Sequence, residues 1–222
     1  MTSAEDLQQL SVGVLGGTGP QGSGLARRFA ASGLRVLLGS RDEARAVEAA
    51  HQLGEDVRGV GNASCAEQAD IVVVAVPWDG HAELLSGLAD ELAGKVVVDC
   101  VNPLGFDDRG PYPLDVAEDS AAVQAQGLLP KSRVVAAFHH VSAVHLNAGD
   151  TDVDCDSLVL GDDREATDLV RALVEVVPGM RGIYAGRLRN AGQVEALTAN
   201  LIAVNRRYRT SAGIRLTGLD RA

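Results

Sequence analysis

Leu15-Gly16-Gly17-Thr18-Gly19-Pro20-Gln21-Gly22-Ser23-Gly24 is the stretch that decides the fold. Ser11 to Leu15 before it reads as a strand, and Ser23 to Ala31 after it, rich in Ala and Arg, reads as a helix. Gly17, Gly19 and Gly22 fill a G-x-G-x-x-G pattern between the two. The first glycine allows the tight turn off the strand, the second lets the backbone approach a pyrophosphate, and the third seats the helix close to the sheet. The helix start then offers unpaired N–H groups and the positive end of its dipole to phosphate charge. Glycine-rich turns are common, but here a strand precedes, a helix follows and the next strand arrives on schedule. That context makes Gly17, Thr18, Gly19, Pro20, Gln21 and Gly22 a predicted dinucleotide site.

Outward from this turn, strands and helices alternate. Strands are predicted at Arg35 to Leu38, Val57 to Val60, Ile71 to Val76, Lys95 to Asp99, Arg133 to Phe138, Ser157 to Leu160 and Met180 to Tyr184. Helices are predicted at Asp42 to Gln52, His81 to Leu92, Arg164 to Val176 and Ala191 to Arg206. Ile71 to Val76 is unbroken apolar sequence ended by Pro77, the pattern of a strand covered on both faces. The alternation predicts an α/β fold: a doubly wound, mainly parallel sheet, with a Rossmann NADP-binding domain over 1–150 and a small C-terminal α/β extension over 151–222. Asn102 to Pro113 reads as a long loop, and loops of that length tend to be functional.

The tip of the second strand predicts the cofactor. Chains that bind NAD usually carry Asp or Glu there, about 20 residues on, to hold the ribose 2′-hydroxyl. This chain has Gly39-Ser40-Arg41, with no acid at the tip. Arg41 can fork onto a phosphate and Ser40 can donate a hydroxyl, which predicts NADP. A solvated surface pair is the bland alternative for these two residues.

In a doubly wound sheet, ligands sit outside the carboxyl ends of the strands. Those ends carry Pro77 and Trp78, Asn102 and Pro103, and His139, His140, Val141 and Ser142. A tryptophan, a proline and a pair of imidazoles make a flat slot for an aromatic ring, although Trp78 could equally be core filler. Both lysines, Lys95 and Lys131, precede strands and belong to the opposite edge. Histidine apart, the rim then offers no clear proton donor, which suits hydride transfer between two cofactor rings that the protein only aligns.

The bulk properties agree. Hydrophobic residues make up 46% of the 222, aromatics only 3%, so Ala, Val and Leu must fill the core. A net charge of −10 disfavours a nucleic-acid partner. No apolar run reaches the roughly 18 residues of a membrane span, and the start of the chain lacks a secretory pattern. Cys65, Cys100 and Cys155 fit no zinc or redox spacing and read as free thiols of a cytoplasmic protein. The histidines lack acidic partners at ligand spacing, so no metal is expected.

The chain resembles the NADPH-dependent reductases of coenzyme F420, a deazaflavin hydride carrier. The matching segments include Gly39-Ser40-Arg41, Val76-Pro77-Trp78, the run from Val97 to Pro103, Ala137 to His139, and the run from Ala185 to Thr198. The resemblance implies hydride transfer between NADP(H) and F420, a homodimer, and a 2′-phosphate held by Thr18, Ser40 and Arg41. It also implies that Asn102, Pro103, His139 and Val141 border the deazaflavin, with His139 an acceptor-site residue. Asn102 and Ser142 depart from the family pattern. They would suit a relative that reduces an imine, a flavin or a ferric chelate, and a non-catalytic NADP-binding module is the third alternative.

Overall fold

The computed structural model describes residues 7–149 and 151–219. Along them run β1 (Ser11–Leu15), α1 (Pro20–Ala31), β2 (Arg35–Ser40), α2 (Glu43–Leu53), β3 (Val57–Gly61), α3 (Asn62–Gln68), β4 (Ile71–Val74), α4 (His81–Gly87) and β5 (Val96–Asp99). Then come β6 (Leu104–Asp107), β7 (Gly110–Pro113), α5 (Ala121–Leu128), β8 (Arg133–Ala136), α6 (Ala143–Leu146), β9 (Cys155–Gly161), α7 (Arg164–Glu175), β10 (Met180–Gly186) and α8 (Ala191–Tyr208).

Eight strands form one sheet in the order β10-β9-β8-β5-β4-β1-β2-β3. From β3 to β8 every neighbouring pair is parallel. β9 joins β8 antiparallel, and β10 joins β9 parallel. The chain winds outward from β1 in both directions, so the switch point lies between β1 and β4, at the glycine-rich turn.

Two cores sandwich this sheet because successive side chains of a strand point to opposite faces. Ile71, Val73, Val96 and Val98 pack with Leu25 and Phe29 of α1 and Val170 and Leu173 of α7. Val72, Val74 and Val97 pack on the other face with Leu85, Ala122 and Val194. Each buried side chain of this size contributes about 1.5–3 kcal/mol over its exposed state, which is why the central strands are apolar throughout. Helix starts are set locally: Asp42 accepts from the Arg45 N–H at 3.3 Å, Ser120 from Val123 at 3.0 Å and Asp163 from Ala166 at 2.7 Å.

Several expectations need correction. Asn102 to Pro113 is not an open loop. Its residues pair as an antiparallel hairpin, Leu104 opposite Pro113 and Asp107 opposite Gly110, which packs against α8. Proline lacks the N–H that a ladder needs, so Pro111 and Pro113 concealed a strand that has an edge free to tolerate them. α1 begins at Pro20, since proline suits a first helical position whose N–H would have no partner anyway. α4 ends at Gly87, well short of Leu92. α3 and α5, short and rich in Ala, escaped the sequence reading. The strand at Arg133 ends at Ala136, because Phe138 takes a left-handed conformation with φ 63°.

Residues 151–219 continue the same sheet through β9 and β10. After α8 the chain reverses at Arg209, φ 52°, and lies along β9. There the Asp156 N–H donates to the Ile214 carbonyl at 2.7 Å, and the buried Asp156 carboxylate accepts both arms of Arg181 at 2.7 Å as well as Arg215. Burial opposes ionisation of Asp156, but these guanidinium bonds outweigh it and hold its pKa near 2.

Candidate active site

The carboxyl ends of β1, β2, β4, β5 and β8 converge on one rim, and the glycine-rich turn occupies its centre. The positive φ of the turn falls on Gly16, 76°, and not on Gly17, correcting the expected division of labour. Gly17 is needed for space, since a Cβ there would stand 2.4 Å from Leu38 Cδ1 of β2. Gly22 lets α1 sit on the turn: a Cβ would meet the Gly16 carbonyl oxygen at 2.6 Å and Gly17 Cα at 2.8 Å. At Gly19 the nearest atom to a Cβ would be 3.4 Å away, so this side of the turn is open to a ligand. No side chain caps α1 and no acid stands in its first turn. The N–H groups of Gln21 and Gly22 therefore lack intrahelical acceptors and face a site ready for an anion.

Two clefts meet at this rim. The larger, about 870 Å³, is lined by Thr18, Gly19, Ser40, Arg41 and Arg45 among others. Ser40 Oγ accepts the Asp42 N–H at 3.2 Å, which leaves its hydroxyl proton free to donate outward. Asp42 is engaged as the cap of α2, and Arg41 is exposed. The smaller cleft, about 450 Å³, is lined by Gln21, Trp78, Asn102, His139, Val141 and Thr198 among others. Ala75, Val76 and Pro77 line both, so the clefts adjoin along the end of β4. Gly17, Pro20, Gly22 and Pro103 line neither cleft. Pro103 is buried at the base of the hairpin, where its carbonyl accepts the Leu114 N–H at 2.9 Å.

His139 is held from three elements. Its carbonyl accepts Asn102 Nδ2 at 2.8 Å and Thr198 Oγ1 at 3.1 Å, while Gln21 Nε2 donates to the neighbouring Phe138 carbonyl at 3.3 Å. The ring is buried, and neither ring nitrogen meets a hydrogen-bond partner in the protein. Burial pushes its pKa down to about 4, so it presents a neutral imidazole to the cleft at neutral pH. His140 also lines this cleft, but its Nε2 is engaged, donating to the Asp156 carbonyl at 2.7 Å. His145 lies exposed on α6, its Nε2 bonded to the Ser211 carbonyl at 2.5 Å. Asn102 Oδ1 and His140 Nδ1 are further buried polar atoms of this cleft without a partner in the protein. Such unmatched groups in a cleft fit a ligand edge that supplies both donors and acceptors.

The sequence reading missed a buried pair beside this cleft. His81 Nε2 lies 2.6 Å from Asp99 Oδ2, with both side chains fully buried. The His81 ring stacks on Trp78, centroids 5.5 Å apart and planes at 30°. Asp99 carries a faint signal, an acid closing the apolar run Val96-Val97-Val98. His81 carries none, because its partner is 18 residues away. Among the described residues no three His, Cys, Asp or Glu side chains gather as metal ligands, and no helix is long and apolar enough to cross a membrane. The three cysteines are free and buried.

Comparison with known proteins places this rim in context. Residues 11–103 match the family model described as NADP oxidoreductase, coenzyme F420-dependent. The F420-dependent NADP reductase of Methanothermobacter thermautotrophicus is 39% identical over 95% of this chain and 96% of its own. That of Methanocaldococcus jannaschii is 35% identical over 95% of this chain and 100% of its own. Among solved structures, a candidate F420-dependent NADP reductase from Arthrobacter sp. FB24 superposes with a TM-score of 0.78 at 27% identity, covering 93% of this chain and all of the other.

Proposed function

The chain belongs to the family of F420-dependent NADP reductases, and from that premise we propose that it transfers a hydride between NADP(H) and the deazaflavin coenzyme F420 across the two adjoining clefts. The observation that carries this reading is the junction at Ala75, Val76 and Pro77, which puts an anion-ready turn and an apolar slot edge to edge. The pyrophosphate goes to the N–H groups of Gln21 and Gly22, and the 2′-phosphate to Thr18, Ser40 and Arg41. The nicotinamide end follows Val76 and Pro77 into the smaller cleft, where Trp78, Asn102, His139 and Val141 border the second ring. When bound, the two coenzymes supply the hydride donor and acceptor carbons. The protein's part is to hold both rings in contact and shield the transfer from bulk water; a neutral His139 would supply no proton, so the one that balances hydride addition to the oxidised deazaflavin would come from solvent.

Mixing the purified chain with NADPH and oxidised F420 tests this. Loss of the deazaflavin absorbance at a rate proportional to enzyme is the expected result. Turnover with a flavin, an imine or a ferric chelate but not with F420 would overturn the acceptor. Tight NADPH binding with no turnover on any of them would overturn catalysis.

Two coarser assignments accompany the reading. Residues 151–222 serve the acceptor side through Thr198, Leu201 and Ala212, which line the smaller cleft. The working form is a cytoplasmic homodimer, supported by the exposed Val204 and Tyr208 of α8 beside the hairpin's exposed Phe106 and Tyr112. Sedimentation equilibrium giving a single monomer mass at micromolar protein would sink the dimer.

A further inference from the structure

The buried pair behind the smaller cleft has more partners than a structural ion pair needs. His81 opens α4 directly after the short helical turn Trp78–Gly80, and Asp99 closes β5. The second ring nitrogen of His81, Nδ1, lies 3.3 Å from Gln124 Oε1 on α5. The Gln124 amide is oriented by its other end, where Nε2 donates to Glu118 at 3.2 Å. Both neighbours of the imidazole are therefore acceptors, and both ring nitrogens must donate, which is possible only for the imidazolium. Glu195 of α8, which caps α5 through the Ala121 and Ala122 N–H groups, adds negative charge from the far side. Burial alone would lower the His81 pKa, but the hydrogen bond and charge of Asp99, with Gln124 and Glu195 behind them, raise it above its ordinary 6.5.

This cation touches both walls of the slot. One wall is Trp78, on whose face the His81 ring lies, a geometry in which a cation is attracted to the indole π-system. The other is the segment after β5: Asp99 gives one carboxylate oxygen to His81 and accepts the Val101 N–H on the other at 3.0 Å, just before Asn102 enters the cleft. Trp78, Val101 and Asn102 all line the smaller cleft, whereas His81 and Asp99 do not. We propose that His81 is a positioning residue for hydride transfer, an imidazolium that couples Trp78 to the Val101–Asn102 segment through Asp99 and so sets the width of the ring slot. The proposal rests on the reading of the smaller cleft as the acceptor site.

Trp78 is the single tryptophan of the chain, so its emission reports this contact without interference. A stacked imidazolium quenches indole fluorescence more strongly than a neutral imidazole does. Emission of the full chain should rise as pH increases above 6.5, and His81→Gln, which retains a donor toward Asp99 but no ring, should abolish that step. Asp99→Asn, which keeps the acceptor for Val101, should move the step to lower pH. In turnover, His81→Gln should lower kcat for F420 about tenfold, the scale of a small misplacement, with the NADPH dissociation constant changed less than about twofold. Combined with Trp78→Leu, it should cost no more than the worse single change. An emission step that persists in His81→Gln, or a midpoint unmoved in Asp99→Asn, overturns the contact. Strictly multiplicative losses in the double variant overturn the coupling. If the wild-type protein shows the emission step but transfers no hydride to F420, the assignment of the acceptor fails while the His81–Trp78 contact stands.

Discussion

Arg41 and His139 stand in opposite environments, the one exposed and the other buried. Arg41 is exposed at the tip of β2, where the acid of an NAD site is missing, and Ser40 beside it keeps a hydroxyl proton to donate. A charge-assisted bond there contributes about 1.5–3 kcal/mol. Arg41→Ala should therefore raise the NADPH dissociation constant roughly ten- to a hundredfold and leave that of NADH nearly unchanged; an equal loss for both nucleotides would refute the 2′-phosphate role. In the proposed reaction His139 works by staying neutral. Its pKa in the fold, about 4, lies below the ordinary 6.5, so on acidification the unfolded chain binds the proton first. Stability is then full above pH 6.5 and falls as pH drops toward 4, by up to about 3 kcal/mol from this residue. His139→Phe should flatten that decline in urea unfolding measured across the same range, and a slope unchanged by the substitution would assign it elsewhere. Both residues are legible in sequence as strand-end residues. The neutrality of His139 is not, because it depends on what buries the ring.

At the scale of elements, the β1 turn–α1 unit is the best-specified part of the chain, since every requirement on it is local. Besides the start of α1, read at Ser23 and found at Pro20, one error concerns the positive φ at Gly16, because Gly16 and Gly17 are adjacent and only the approach of β4 and β2 tells them apart. Gly22 has no such ambiguity. Its substitution by alanine would press a Cβ to 2.6 Å from the Gly16 carbonyl, backbone against backbone, so the helix must shift. Overpacking of this kind costs about 1–3 kcal/mol. Gly22→Ala should lower the melting temperature and weaken NADPH and NADH alike, in contrast to Arg41→Ala; unchanged affinity for both would show that α1 does not seat the pyrophosphate. The hairpin and the helices α3 and α5 were illegible for converse reasons. The hairpin holds prolines that mimic a loop, and the two short helices, seven and eight residues long, span too few turns to give a periodic pattern.

At the scale of the whole molecule, charge opposes the proposed acceptor. The chain carries −10, and the F420 tail bears a phosphodiester and carboxylates, so approach needs a local basic patch. Arg206, Arg207 and Arg209 are exposed at the end of α8, and none makes an ion pair among the described residues. They complement the helix dipole by about 0.3–1 kcal/mol each; a role in guiding the tail would show as a KM for F420 that rises with salt, since exposed charges are screened beyond roughly 8–10 Å. Changing Arg206 and Arg209 together to Gln should weaken that salt dependence without altering NADPH affinity, and identical salt curves would leave them to the helix end alone. The sequence by itself determined the α/β alternation, the glycine-rich turn between β1 and α1 and the residues at the strand ends, because each rests on neighbours in the chain or on a strand's own period. Only the tertiary structure decided that β9 reverses against β8, that α8 and the terminal segment close the smaller cleft, and that His81 meets Asp99 under Trp78. Those contacts join residues distant in sequence, and the energies that select them come from shared burial, which no local pattern encodes.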